Sequence, residues 1–162
     1  MKPLSSPLSK FYTPESYRLQ GSVVYLMVRN KSIYQRLADA RLADLGITAS
    51  QMSVLMMVTH TEGATISSIS HLLGSNAAAT VRMIHKLESM DLIKKMPSKK
   101  DGRVIHLSLT LAGKKLAKLI PFRLCDLLNQ SLAGFSPKEF EQFKDFLSRI
   151  EKNNLTSLQE AS

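Results

Sequence analysis

The chain of 162 residues has no tryptophan, a single cysteine, seven glycines and six prolines. It also has no unbroken apolar run of the about 18 residues that a membrane-spanning helix needs, so no membrane span is expected. Each shortage excludes something. With Cys125 alone, a disulfide within the chain and a zinc site made of cysteines are both ruled out. Set among leucines, Cys125 reads as a small buried hydrophobe, with a redox sensor as the alternative. His60, His71 and His106 are scattered, with no Cys or carboxylate at metal-ligand spacing, so no metal is expected. There is no glycine-rich phosphate cradle, no Ser/His/Asp arrangement and no paired carboxylates, so neither an enzyme nor a cofactor is expected. The opening "MKPLSSPLSKFYTP" has prolines and polar residues where a signal peptide needs an apolar core, which makes the cytoplasm the expected location.

What is present is an ordinary apolar content of 44% and a formal net charge of +9. That suits one soluble domain with an anionic partner, such as nucleic acid or an anionic membrane surface. The charge is unevenly spread. Between Ile66 and Lys115, nine lysines and arginines face only Glu88, Asp91 and Asp101, so two thirds of the net charge lies in under a third of the chain. A localised footprint of this kind marks a nucleic-acid surface better than it serves general solubility.

The footprint falls on a recognisable pattern. "TISSISHLLG" reads as a short helix with Ile66, Ile69, Leu72 and Leu73 inward and a glycine exit at Gly74. "SNAAATVRMIHKLESM" follows at once as a second helix, capped by Ser75 or Asn76, with Ala77, Val81, Ile84 and Leu87 or Glu88 along one side. Two apolar-striped helices joined so tightly form a helix-turn-helix. "LIKKM" and "VIHLSL" then read as two strands, and a hairpin directly after a helix-turn-helix makes a winged helix. The predicted fold is therefore mostly α with a small β-hairpin wing.

On a wheel of about 100° per residue, Ser75, Ala79, Arg82 and Lys86 share the sector opposite the apolar side. Ala79 suits a thymine methyl, Arg82 a guanine or phosphate, and Lys86 a phosphate. Asn76 and Thr80 flank the sector and can hydrogen-bond bases or backbone, whereas His85 points towards the buried side. A merely solvated helix face is the alternative.

Three further helices are predicted around this lobe. One runs from Thr13-Pro14-Glu15 to about Asp44, one from Thr110 to about Leu132, and one follows the Ser136-Pro137-Lys138-Glu139 cap with Phe140, Phe143, Phe146, Leu147 and Ile150 on one face. They exceed what a compact winged helix needs, and their stripes fit a symmetric homodimer, or else a monomeric helical subdomain. The expected organisation is an N-terminal arm over 1–13, a helical dimerisation region over 14–45 and 111–160, and a winged helix-turn-helix lobe over 47–109.

The run from "TVRMIHKLESMDLI" through "DGR" to "LTLAG", with "GITASQMSVL" upstream, resembles the MarR family of bacterial transcriptional regulators. The resemblance covers about residues 20–150. It implies a dimeric winged helix whose helix at about 75–90 enters the major groove while the wing reaches the minor groove. It also implies that Arg103 inserts there, that Asp101 holds Arg103, and that Lys99 and Lys100 add phosphate contacts. Two departures stand out. Gly102 replaces a second arginine, and Asp91 replaces the glycine that follows the recognition helix, which implies a different helix exit there.

The resemblance further implies a cleft for small aromatic or phenolic acids between the dimerisation helices and the DNA-binding lobe. Arg18, Ser22, Tyr25 and Arg29 recur at i, i+4, i+7 and i+11 and could bind a carboxylate beside an aromatic wall. Met52, Met56 and His60 could complete an adaptable pocket; an ordinary solvated stripe is the alternative. The expected function is thus a dimeric regulator of double-stranded DNA that binds a pseudo-palindromic operator with half-sites one turn apart, roughly 34–36 Å. It would be a repressor released by such an acid. The alternative is a sequence-independent nucleoid-type DNA-binding protein.

Overall fold

The computed structural model describes residues 10–98, 101 and 104–160. Six α-helices and one hairpin follow in the order α1 (Val23–Leu42), α2 (Ala49–His60), α3 (Ile66–Leu73), α4 (Ala77–Ser89), β1 (Ile93–Pro97), β2 (Ile105–Leu109), α5 (Leu111–Ser131) and α6 (Pro137–Glu160).

The first helix starts later than its sequence signal. Thr13 and Ser16 satisfy each other's amides, at 3.0 and 3.2 Å, and close a single turn. Arg18 is then extended, a 3-10 turn spans Leu19–Gly21, and α1 begins only after Ser22, whose Oγ accepts the Tyr25 amide at 3.2 Å. Glycine is the poorest helix former in this stretch, and Gly21 next to a satisfied serine cap outweighs the Thr-Pro-Glu signal. At the far end Gly46, at φ 69°, closes the 3-10 extension Ala43–Leu45.

Helix α2 is the hub. Thr48 and Gln51 form a capping box at its start, and α1 adds two ties: Asp39 Oδ1 accepts the Ala49 amide at 2.6 Å, and Gln35 donates to Ser50 Oγ at 2.9 Å. From there α2 packs against α1, α3, α4, α5 and β2, burying Val54, Leu55 and Val58. Ile69 of α3, Ile84 and Leu87 of α4, Ile93 of β1, and Ile120 and Leu124 of α5 complete the same core. Each such side chain contributes about 1.5–3 kcal/mol by leaving water.

Capping residues set the geometry of the helix pair. Thr65 and Ser68 box the start of α3, and Gly74, at φ 56°, ends it with its amide on His71 O and the Ser75 amide on Ser70 O. This is a Schellman turn, and it re-aims the chain within three residues so that Asn76 can cap α4. Helix α4 ends the same way: Asp91 donates to Glu88 O, Leu92 donates to Leu87 O, and Asp91 stands at φ 56°. The left-handed exit expected of a glycine is therefore kept. The implied difference at this exit is not seen, because the two hydrogen bonds and the Thr110 hydroxyl on Asp91 O hold the aspartate there.

The hairpin is antiparallel, pairing Ile93 with Leu109 through to Pro97 with Ile105. The Leu107 amide reaches Ala64 O at 2.7 Å, which stitches β2 to the entry of α3. Thr110 caps α5 on the Gly113 amide, and Ser136 and Glu139 form the predicted box before α6. Helix α6 has no buried residue, although Phe140, Phe143, Phe146 and Leu147 share its apolar side. No single helix among the described residues is long and apolar enough to cross a membrane.

Candidate nucleic-acid interface

The outward face of α4 is fixed by its cap and its buried side. Asn76 Oδ1 accepts the Ala79 amide at 2.8 Å, and Thr80, Ile84 and Leu87 point into the core. Opposite them lie Ala78, Arg82, His85 and Ser89, with Ala77 and Lys86 alongside, all exposed. Four of the predicted contacts keep a place on or beside this face: Asn76, Arg82 and Lys86 are exposed, and Ala79 is half-buried at its edge.

Four placements on the wheel change. Thr80 is fully buried, and its hydroxyl shares a 2.7 Å hydrogen bond with Ser75 Oγ, so it closes the turn and cannot reach a base. Ser75, half-buried in that bond, belongs to the turn as much as to the surface. His85, expected inward, is exposed, while Ala77, expected inward, sits exposed in the first turn. Ala78, His85 and Ser89 are the exposed residues the sequence missed. The available signal was the pair Ile84 and Leu87: with both inward, Thr80 falls on the buried side and Ala78, His85 and Ser89 on the opposite one.

A small charge cluster ties this face to the hairpin. Lys95 of β1 donates to Glu88 Oε2 at 2.8 Å, and His85 Nδ1 lies 3.5 Å from the same oxygen. The hydrogen bond from Lys95 holds the Glu88 carboxyl below the usual carboxylate range, with the charges of Lys95 and His85 helping. Of the wing residues, the Asp101 carbonyl accepts the Val104 amide at 2.9 Å and its amide faces Ser98 Oγ at 3.5 Å. Lys99, Lys100 and Arg103 lie outside the described residues.

The residues chosen for an acid-binding cleft do not meet. Arg18 is not on α1, and its guanidinium is spent on Glu15 O and Tyr17 O at 2.9 and 2.8 Å. Ser22 is a buried cap, Arg29 is exposed, Tyr25 is half-buried, Met52 and Met56 pack against the core, and His60 lies exposed at the end of α2. Arg18 leaves the stripe because α1 begins only at Val23, whereas Ser22, Tyr25 and Arg29 follow one another along its cap and first two turns. A cavity of about 260 Å³ does lie between α1, α2 and the start of α4, walled by Lys31, Tyr34, Gln35, Ser50, Ser53, Ser75 and Met83. Burial, and then the nearby Cys125, pushes the Tyr34 phenol up, so it is a neutral O–H donor at neutral pH. Cys125 itself is exposed on α5, not buried as expected. Between α1 and α6 opens a larger apolar groove of about 780 Å³, lined by Val23, Leu26, Met27, Phe143, Phe146 and Ile150 among others.

Residues 47–105 match the model of the MarR family. The chain is 25% identical over 117 residues to YybA, an uncharacterized HTH-type transcriptional regulator of Bacillus subtilis (strain 168), covering 72% of this chain and 78% of that one. Among solved structures it is similar to S. aureus MepR in its complex with DNA (TM-score 0.72, 22% identity, 82% of this chain and 96% of that chain). It is also similar to CouR from Rhodococcus jostii RHA1 bound to p-coumaroyl-CoA (TM-score 0.74, 20% identity, 83% and 95%).

Proposed function

We propose that the chain is a DNA-binding transcriptional regulator of the MarR family, whose model matches residues 47–105, and that it acts as a dimeric, ligand-released repressor. The observation that carries the DNA reading is the exposed face of α4. Small residues at its start allow close approach to a major groove, and Arg82 and Lys86 supply cations behind a three-residue turn. The wing roles of Arg103, Asp101, Lys99 and Lys100 follow from the family pattern, with Arg103 in a narrow minor groove. Competition between duplex from upstream of its own gene and random duplex, at physiological salt, tests the reading. Specific binding should be at least about 10³-fold tighter. Equal affinity would leave a nucleoid-type protein.

Dimerisation is supported by α6, a helix with an aromatic side and no buried residue, and by the groove it forms with α1. A second copy that laid the same helices into this groove would cover both, since a two-fold interface uses the same patch twice. The helical region over 14–45 and 111–160 would be that interface, with 47–109 as the DNA-binding lobe. Phe143→Glu or Phe146→Glu should shift the protein to monomer in sedimentation and abolish operator binding.

For the ligand, the cavity at Tyr34 replaces the Arg18 and Arg29 site. Its volume lies just below the about 300 Å³ at which drug-sized pockets begin, which suits a single-ring acid. Lys31 would take the carboxylate and Tyr34 would donate to it or stack on the ring. Because Ser75 and Met83 also wall the cavity, a bound acid would press on the start of α4 and favour a dimer that no longer matches two half-sites. Benzoate and 4-hydroxybenzoate should raise Tm in wild type and in Arg18→Ala, but not in Lys31→Met. Stabilisation lost in Arg18→Ala instead would return the site to the N-terminal stripe.

A further inference from the structure

The exposed face of α4 contains one side chain that neither packing nor bulk positive charge explains. His85 lies one turn beyond Arg82 on the outward side, and 61% of its side chain is accessible. Its ring is nevertheless held. Lys95 Nζ lies 3.4 Å from Nδ1 and 2.8 Å from Glu88 Oε2, so a strand residue and a helix residue grip one edge of the imidazole. Among the described residues nothing engages the opposite nitrogen, Nε2. A merely solvated surface histidine has no need of a carboxylate one turn on and an ammonium group from the neighbouring strand.

We propose that His85 reads a base edge in the major groove as a hydrogen-bond donor through Nε2, with Lys95 and Glu88 as the pair that positions its ring. The proposal rests on the DNA-binding reading of α4 and adds the residue that would set base preference.

The donor role follows from the partner. An ammonium group can only donate, so a neutral Nδ1 facing Lys95 must present its lone pair, and the ring proton then resides on Nε2. This tautomer is inferred from the hydrogen-bond partner. Glu88 Oε2, 3.5 Å from Nδ1, is already engaged by Lys95 at 2.8 Å. The groups around the ring are therefore one carboxylate and one ammonium, with Arg82 and Lys86 beside it on α4.

A fixed donor discriminates between bases. Guanine N7 and O6, adenine N7 and thymine O4 accept it in the major groove, whereas the amino group of cytosine opposes it with another donor. Guanine offers two adjacent acceptors, so it is the favoured partner.

The test is a selection of bound duplexes from a randomised library by the full-length protein, comparing wild type, His85→Ala, His85→Gln and Glu88→Gln. Wild type should enrich a motif with guanine at one position of each half-site. His85→Ala should relax that position by about two- to twelvefold, the worth of one hydrogen bond, while the other positions and the salt dependence stay unchanged. His85→Gln should move the preference towards adenine, which glutamine pairs with bidentately. Glu88→Gln should relax the same position and add nothing in the double variant, whereas a merely structural role would weaken all positions together. A motif unchanged in His85→Ala overturns the proposal. So does a uniform loss with the salt slope reduced by about 0.9, which would mark a phosphate contact. If wild type enriches no motif at all, the regulator reading itself fails and the proposal falls with it.

Discussion

Thr80→Val separates two roles for a residue whose sequence position suggests DNA contact and whose structure suggests a lock. Valine keeps the β-branched shape, so the only atom lost is the hydroxyl oxygen, which sits in a fully buried site bonded to Ser75 Oγ at 2.7 Å and near Asn76 O at 3.4 Å. A net hydrogen bond is worth about 0.5–1.5 kcal/mol, and Ser75, being half-buried, can turn its own hydroxyl to water. The expected cost is therefore about 1 kcal/mol and not the larger penalty of an orphaned buried group. For a chain of this length that lowers Tm by roughly 2–4 °C, measured at fixed protein concentration because a dimer's Tm depends on it. Below the transition, operator affinity should stay within about twofold of wild type, against the about 1–3 kcal/mol expected for a lost bidentate base contact. An unchanged Tm together with a fall in operator affinity of tenfold or more would refute the lock and restore Thr80 to the interface.

Three other perturbations probe the elements around that lock. Asp91→Gly should stabilise the protein by a few tenths to about 1 kcal/mol in urea, since it relieves a left-handed aspartate at the exit of α4. Gly113→Ala should destabilise by about 1–3 kcal/mol, because a β-carbon there overlaps the Leu92 carbonyl oxygen at the junction of α5 and β1. In acid, the Asp44–Arg123 pair should be lost late: the hydrogen bond from Arg123, at 2.7 Å, holds the Asp44 carboxyl below its ordinary value. Its contribution is thus complete above about pH 4 and fades as pH falls towards the lowered pKa. Asp44→Asn should remove that acid-limb slope from a series of urea midpoints, and an unchanged slope would show the pair to be inert.

The architecture was largely written in capping chemistry. Gly74, Thr110, Ser136-Pro137-Lys138-Glu139 and the alternation of Leu107 and Leu109 each specify a local geometry that tertiary packing has no reason to oppose, and each is found where the sequence places it. The start of α1 was not legible in the same way. Thr13-Pro14-Glu15 is a sound helix signal, and it does make a turn, but Gly21 and the Ser22 cap give the chain a second start site that propensity alone cannot rank above the first. The acid-binding stripe depended on that ranking, and the later start takes Arg18 off the helix and turns Ser22 into its cap. The cavity at Tyr34 was invisible for a different reason. Its walls come from α1, α2 and the α3–α4 turn, and no spacing within a single helix reports on such a meeting.

The face of α4 shows how little information separates a right from a wrong phase. Hydrophobic pattern sets the wheel, and "NAAATVR" offers it three alanines and a threonine, residues almost indifferent to burial. The wheel drawn from that pattern puts Thr80 beside the outer sector and His85 inside, which is the inverse of what is observed. Two polar contacts decide the matter. Asn76 takes the Ala79 amide and so fixes where the helix starts, and Ser75 gives the Thr80 hydroxyl a partner, which removes the cost of burying it. With Thr80 inward, the periodicity leaves Ala78, Arg82, His85 and Ser89 outward with no further choice. The exposed face of this helix is therefore set by the three buried side chains Thr80, Ile84 and Leu87, and the turn before it supplies the hydrogen bond that lets Thr80 be one of them.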